Sequence, residues 1–282
     1  MSNNNALAIE SQSLLLSVCS KQLGASLDTK ASAELKDWHT QFYLQQSAPE
    51  NCGFFEELSS VPAEQWEALI ERHRAHKHPW YDYIAQEITI DEMASFLLEN
   101  QYYPTFIELL KKIEDIQFIE DGRAAVKENI DDEFQPAPHA ELMKRMMLAV
   151  KARAKTPVVL DSYSSLIDRT LVFYYGYYIQ PWHLVGSVFA TEHMGTHRVI
   201  SMGAGLSRLG LSDEELEFTI VHSECDEHHA DDWMARVIIP SIKKDQSLLP
   251  LIAAGIAECL DSSARYLDYL LERARTPEPL AV

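Results

Sequence analysis

Glycine is scarce in this chain, 10 of 282 residues. That works against strand-and-turn architectures, where glycine supplies the left-handed positions of tight turns. Cysteine is scarcer still: Cys19, Cys52, Cys225 and Cys259 stand far apart and form no C-x-x-C pair. This excludes a disulfide framework and a cysteine-rich zinc site, and reads as reduced thiols. Basic residues are few, 24 Lys and Arg against 43 Asp and Glu, for a net charge of -19. A chain so poor in cations is not built to hold phosphate backbones or anionic membrane surfaces. No apolar run approaches the length of about 18 residues that a membrane span needs. The first residues, Met1 to Gln12, carry neither a basic stretch nor a long apolar one, so no signal peptide is expected. These absences point to a soluble, cytoplasmic protein.

What is present is helical periodicity, with 46% hydrophobic residues to form a core. The expected class is all-α, a single domain over 1–282. It comprises an N-terminal helical extension over 1–60, a bundle over 61–274 and a tail over 275–282. Helices are expected over 5–24 and 30–46, and from Pro62 to about His76. Another should run from an Asp91 cap to about Ile116, kinked at Pro104. Further helices are expected over 123–132, 139–154 and 162–178, and from Pro181 to about Leu209. Ser212 with Glu215 should cap a helix reaching Ile239, stopped by Pro240, before a last one over 246–273.

The segment from Val221 to Trp233 carries most of the chemistry. His222, Asp226 and His229 stand at i, i+4 and i+7, on one face of a helix. Two imidazoles and a carboxylate suit iron, manganese or zinc. Glu224, His228 and Asp231 repeat the spacing on another face. Neighbours separate the two: Phe218, Cys225, Trp233 and Val237 share the first face, Glu217 and Glu227 the second. The first should point into the bundle, where a metal site belongs; a buried, hydrogen-bonded polar cluster is the alternative. Glu192 lies in mid-helix near Val185, Val188, Phe189 and Val199. A carboxylate there is costly unless paired, protonated or metal-bound. His193 and His197 form an i, i+4 pair that reads as exposed beside Arg198. Glu108 sits in an apolar run near Pro104. Asp131, Asp132 and Glu133 precede a Pro-rich loop that ends at His139, and alone they read as caps and surface charge.

Taken in order, these residues resemble the heme-oxygenase-like diiron oxidases and oxygenases. The order is a carboxylate, a carboxylate–loop–histidine, a Glu, then His-x-x-x-Asp-x-x-His. The spacing of 53 from His139 to Glu192 and of 30 from Glu192 to His222 is similar to that family's. So are Glu128, Asn129, Glu133, His139 and Leu142, and the stretches His78-Pro79 and Gln101-Tyr102-Tyr103. The resemblance implies a heme-oxygenase-like bundle of about seven core helices. It also implies two Fe(II) per chain with O2 as co-substrate. Glu108 and Glu133 would be outer carboxylates, with Asp132 a rival to Glu133. His139 would bind one iron, Glu192 would bridge, and His222, Asp226 and His229 would bind the other. The implied reaction is N-oxygenation, oxidative C–C cleavage, desaturation or decarboxylation. Its substrate would be a small amino-acid-derived or carboxylate metabolite, in natural-product biosynthesis. A homodimer and an external electron donor are expected, with no nucleic-acid or membrane partner. Arg198, a turn and a half beyond Glu192, is the candidate for a substrate carboxylate.

Several rivals remain. Thiaminase II-like and pyrroloquinoline-quinone synthase-like proteins share the implied fold without a metal. Thiaminase-type chemistry needs a nucleophilic cysteine, and Cys225 between two acids is a poor one. A ferritin-like site would need two Glu-x-x-His motifs, and the chain has no such pair. His39 is available as a heme ligand, but nothing around it reads as a heme pocket. A non-catalytic helical interaction protein would leave Glu192 and the His222 face unexplained.

Overall fold

Some helices in this chain begin at a side chain that accepts an otherwise unpaired first-turn amide, as at Asp28, Thr89 and Ser212; others open at a proline, as at Pro138 and Pro181. The structure is a computed structural model that describes residues 26–45, 53–100, 103–116, 118, 120–156 and 164–276. The side chains of 42–45, 103–104, 164–167 and 224–227 are outside that description, as is the helix expected over 5–24. The elements are α1 (Thr29–Gln45), α2 (Gly53–Ser60), α3 (Trp66–Ile70), α4 (Trp80–Gln86), α5 (Ile90–Glu99), α6 (Tyr103–Glu114) and α7 (Glu120–Asp132). They continue with α8 (His139–Arg153), α9 (Ser164–Tyr178), α10 (Pro181–Arg208), α11 (Asp213–Asp232), α12 (Ile239–Lys244) and α13 (Leu249–Arg275). No strand occurs among the described residues.

Ser212 and Glu215 form a reciprocal capping box at the start of α11, a device whose cap residue contributes on the order of 1 kcal/mol. The cap of α5 is Thr89, paired with Glu92 in the same way, and not Asp91. Asp91 instead accepts the backbone N–H groups of Lys155 and Thr156 at 2.7 and 3.1 Å. The helix expected to reach His76 stops at Ile70. There the His73 ring takes the Ala75 amide and reaches Asp261, offering the backbone a competing partner. The helix expected to run to Ile116 with a kink is broken into two. Asn100 caps the Phe96 carbonyl with its side-chain amide, and Pro104 falls in the first turn of α6, where a missing N–H costs nothing. Pro240 does not end its helix. The ladder loosens into a π-helical stretch, Trp233–Ile238, just before it. This relieves the clash of the proline ring with the carbonyl four residues earlier, and the chain continues helically as α12.

The long helix α10 is the axis of the molecule, packed against α4, α9, α11 and α13. Every residue from His183 to Glu192 is buried, so this stretch needs neighbours on every side, and its four polar side chains need partners there. Its crossing with α13 is very close. A Cβ on Gly186 would lie 2.1 Å from the Ile252 carbonyl oxygen, and one on Gly255 would lie 2.0 Å from that of His183. The core forms two clusters. One surrounds the N-terminal half of α10, with Leu184, Val188 and Phe189 against Leu110, Trp233 and Ile256. The other surrounds its C-terminal half, with Val199, Met202 and Leu206 against Phe96, Met143 and Phe218. By length and composition residues 246–275 would span a bilayer, but 61% of that apolar window is buried in the bundle, as a core helix requires.

Candidate metal centre

The seam between the two core clusters holds most of the polar residues singled out in the sequence. Glu133 follows the last turn of α7, and His139 opens α8. The loop between them, which includes a cis Gln135–Pro136 peptide, is closed by a hydrogen bond from the His139 amide to the Glu133 carbonyl at 2.9 Å. Both side chains are thereby turned inward and buried. His222 and His229 are buried on α11, whereas His228 and Asp231 are exposed. Asp226 shares the His222–His229 face by its register, but its side chain lies outside the described residues.

Donor atoms of Glu133, His139 and His222 all lie within 4.8 Å of one another. The rings of His139 and His222 are 4.5 Å apart at their centroids. Glu192, buried on α10, has Oε2 3.7 Å from His229 Nδ1 and Oε1 3.4 Å from the Asn129 amide. Glu133, Glu192 and His222 line one cavity, walled by Phe96, Phe106, Met143 and Phe218. Arg198, half-buried, reaches the same cavity. No carboxylate pairs with it among the described residues.

The histidines share one pattern. His139 Nε2 is 2.7 Å from the Gln135 carbonyl, His222 Nδ1 is 2.8 Å from the Phe218 carbonyl, and His229 Nε2 is 3.2 Å from Asp132 Oδ2. Each contact fixes that nitrogen as the N–H donor and leaves the other to carry the lone pair. For His139 the lone-pair nitrogen, Nδ1, lies 2.9 Å from Glu133 Oε2, outside hydrogen-bond geometry. For His229 it faces Glu192. Lone pairs directed at carboxylates require a cation between them, either a proton or a metal ion. Without a metal, burial is the largest influence on His139 and lowers its pKa, but the Glu133 carboxylate and the Gln135 carbonyl together turn the net shift upward. Burial holds His222 down at about 4, opposed by Glu133 and assisted by His139. A neutral imidazole is the form that ligates. This donor set fits iron: imidazole and carboxylate in a buried group beside a cavity.

The remaining sequence candidates fall differently. Glu108, expected as an outer ligand, is not brought to the group. It pairs with Lys111 at 2.9 Å and is half-exposed. Phe106 lines the cavity, and a residue two positions on is turned about 200° around the helix. Between the rivals, Glu133 is the buried one, and Asp132, exposed, holds the outer nitrogen of His229. His193 and His197 both meet the ring of His76, and of the two only His197 is exposed. Asn129 belongs to the stretch that carries the family resemblance, which gives it no ligand role. Its signal was an amide on the apolar face that Ala125, Val126 and Ile130 give α7. Asn100 and Arg169, joined at 3.2 Å, line a smaller adjoining cavity with Arg198 and Tyr266. Nothing local in the sequence marked that pair.

A crystal structure of a CadD-like protein of unknown function from Nostoc punctiforme PCC 73102 is similar to this chain. It superposes with a TM-score of 0.58 at 14% identity, over 79% of this chain and 99% of that one. A second crystal structure of that protein gives 0.56 at 15% identity, over 81% and 99%. At such identities the likeness speaks for the fold, the heme-oxygenase-like helical bundle. No curated protein matches the chain. A family profile described as "Iron-containing redox enzyme" matches residues 107–264, from α6 to the middle of α13 and across every residue of the centre. The chain therefore belongs to the iron-containing redox enzymes, and its bundle is the heme-oxygenase-like one.

Proposed function

We propose that this protein is an O2-dependent diiron oxidoreductase acting on a small carboxylate-bearing metabolite. One observation carries the reading. Three buried histidines each have one nitrogen tied to an outer acceptor, and in two of them the other nitrogen faces a carboxylate of the group. Glu133, His139, Glu192, His222 and His229 are the proposed ligands, with Asp226 added by its register on α11. Iron held by these residues would supply the reducing electrons for O2 chemistry. The other residues set the conditions. Asn129 steadies the Glu192 carboxylate at 3.4 Å. Asp132 and the carbonyls of Gln135 and Phe218 orient the rings. Arg198 offers the cavity a charge that a substrate carboxylate can take. The apolar wall of Phe96, Phe106 and Phe218 keeps water from the reacting group.

Anaerobic loading of the full chain with Fe(II), followed by metal analysis, tests this reading. Two irons per chain at this group, lost together with its histidines, and a transient visible band on admitting O2 are expected. No iron uptake would reject the reading and favour a metal-free relative of the thiaminase II type.

A further inference from the structure

A second histidine–carboxylate cluster lies at the N-terminal end of α10. His39 on α1, His183 on α10 and Glu258 on α13 bring donor atoms that all lie within 4.8 Å of one another. His183 and Glu258 are buried, and the His39 side chain is only 15% exposed. Glu258 divides its oxygens between the rings: Oε1 is 2.9 Å from His39 Nε2, and Oε2 is 3.1 Å from His183 Nε2.

The surroundings hold both imidazoles in place. The His39 ring lies flat on Tyr175, with centroids 3.5 Å apart and planes 3° from parallel. The close crossing at Gly186 and Gly255 sets His183 against the turn of α13 that carries Glu258. His183 Nδ1 is 3.4 Å from Ser187 Oγ. The hydroxyl of Ser187 donates to the carbonyls of His183 and Gly255 at 3.0 and 3.2 Å. With its hydrogen so used, Ser187 accepts from Nδ1–H, and His183 Nε2 carries the lone pair. That nitrogen faces Glu258 Oε2, yet the two are outside hydrogen-bond geometry and neither has another hydrogen-bond partner. A shared proton must lie on the line between them. A metal ion need not: it can sit off that line, where His39 Nε2 also reaches.

We propose that His39, His183 and Glu258 hold a divalent transition-metal ion, zinc or Fe(II), which fastens α1 to the bundle. Two imidazoles and a carboxylate are a donor set for either ion. The site is separate from the first one. His183 and Glu192 are nine residues apart on α10, or about 14 Å of helix rise. Without a cation, burial keeps Glu258 protonated well above the usual carboxylate range, opposed by Arg265, and pushes His183 well below the usual imidazole range. His183 is thus already in its neutral, ligating form, and a bound ion would let Glu258 give up its proton and enter its own.

The test counts metal in the full chain after stripping with chelator and reloading with Zn²⁺, or with Co²⁺ as a spectroscopic probe. The background is His139→Ala/His222→Ala, which removes donors of the first group. That double variant is expected to keep one ion per chain, with the visible bands of Co²⁺ bound by imidazole and carboxylate. Adding Glu258→Gln should weaken binding by at least about tenfold. In the otherwise native chain, Glu258→Gln should lower the total by one ion. Where Glu258→Gln does not fold, His39→Gln on the more exposed α1 makes the same cut. Zn²⁺ should also raise the melting temperature of the double variant and protect α1 from proteolysis. No ion retained by the double variant, or an ion retained undiminished after both Glu258→Gln and His39→Gln, would overturn the proposal. Failure of the diiron reading looks different: His139→Ala/His222→Ala would then leave the metal count of the native chain unchanged.

Discussion

The two histidine–carboxylate clusters lie along one helix and use the same side chains, yet they differ in surroundings. The Glu133–His139–Glu192–His222 group borders a cavity with Arg198 at its wall. The His39–His183–Glu258 group is enclosed by Tyr175, Ser187 and the tight α10–α13 crossing. Metal chemistry needs access for O2 and substrate as well as donors; a fastening ion needs only donors. The difference in access, more than in ligands, separates a centre suited to catalysis from one suited to stability.

The sharpest way to break this contrast is His222→Ala or Glu192→Ala. Each should abolish iron binding at the cavity group, read by metal analysis, while circular dichroism shows an unchanged helical content. Two irons retained in both variants would remove the site assignment. Next in size is Gly255→Val. Its Cβ would meet the His183 carbonyl at 2.0 Å, so a loss of about 3 kcal/mol or more is expected in denaturant unfolding. The loss should fall on the enclosed cluster first, and a variant as stable as the parent would mean that the crossing is not rigid.

Acid should then act on both regions of the metal-free chain. His39 and His222, one in each cluster, are both lowered to about 4, chiefly by burial. An unfolded imidazole takes its proton near 6.5. The unfolded chain therefore binds more protons between these values. Stability is present above about 6.5 and is lost as pH falls toward 4. His39→Gln should flatten part of that slope in unfolding measured across the window, and an unchanged slope would mean that His39 is solvated.

Arg198→Met separates binding from metal loading. Iron content should stay the same, while affinity for simple alkanoates, read by their perturbation of the Co²⁺ spectrum, should fall by roughly tenfold or more. Equal affinity in both proteins would take Arg198 out of substrate recognition. The smallest effect is expected for Glu108→Gln. It breaks an exposed pair worth less than about 1 kcal/mol, and iron binding should be unaltered. A loss of iron would show that α6 turns to bring Glu108 inward when metal binds.

Much of this was readable without coordinates, and the reason differs from residue to residue. The Ser212–Glu215 cap and the start of α10 at Pro181 rest on local chemistry, so they could be placed to within a residue. The common face of His222 and His229 follows from helix geometry alone, and Glu192 stood out because a carboxylate in an apolar run has to be accounted for. The π-helical stretch before Pro240 escaped, since the same proline is compatible with a stop, a kink or a widened ladder. The position of Glu108 outside the group could not be foreseen, because an apolar run does not say which side of its helix meets the core. His39 was dismissed for want of a heme pocket around it, although its partner Glu258 is 219 residues away.

The sequence by itself determined the all-α class, the order of the helices and the register of the α11 donors, because each depends on contacts within a few turns of one chain segment. Tertiary structure alone decided that Glu133 lies inside and Asp132 outside, and that the side of α6 bearing Phe106, not Glu108, meets the cavity. It also decided that His39, His183 and Glu258 meet at all. These choices depend on how helices far apart in sequence cross, and on how closely glycines such as Gly186 and Gly255 let their backbones approach. No periodicity along the chain records that.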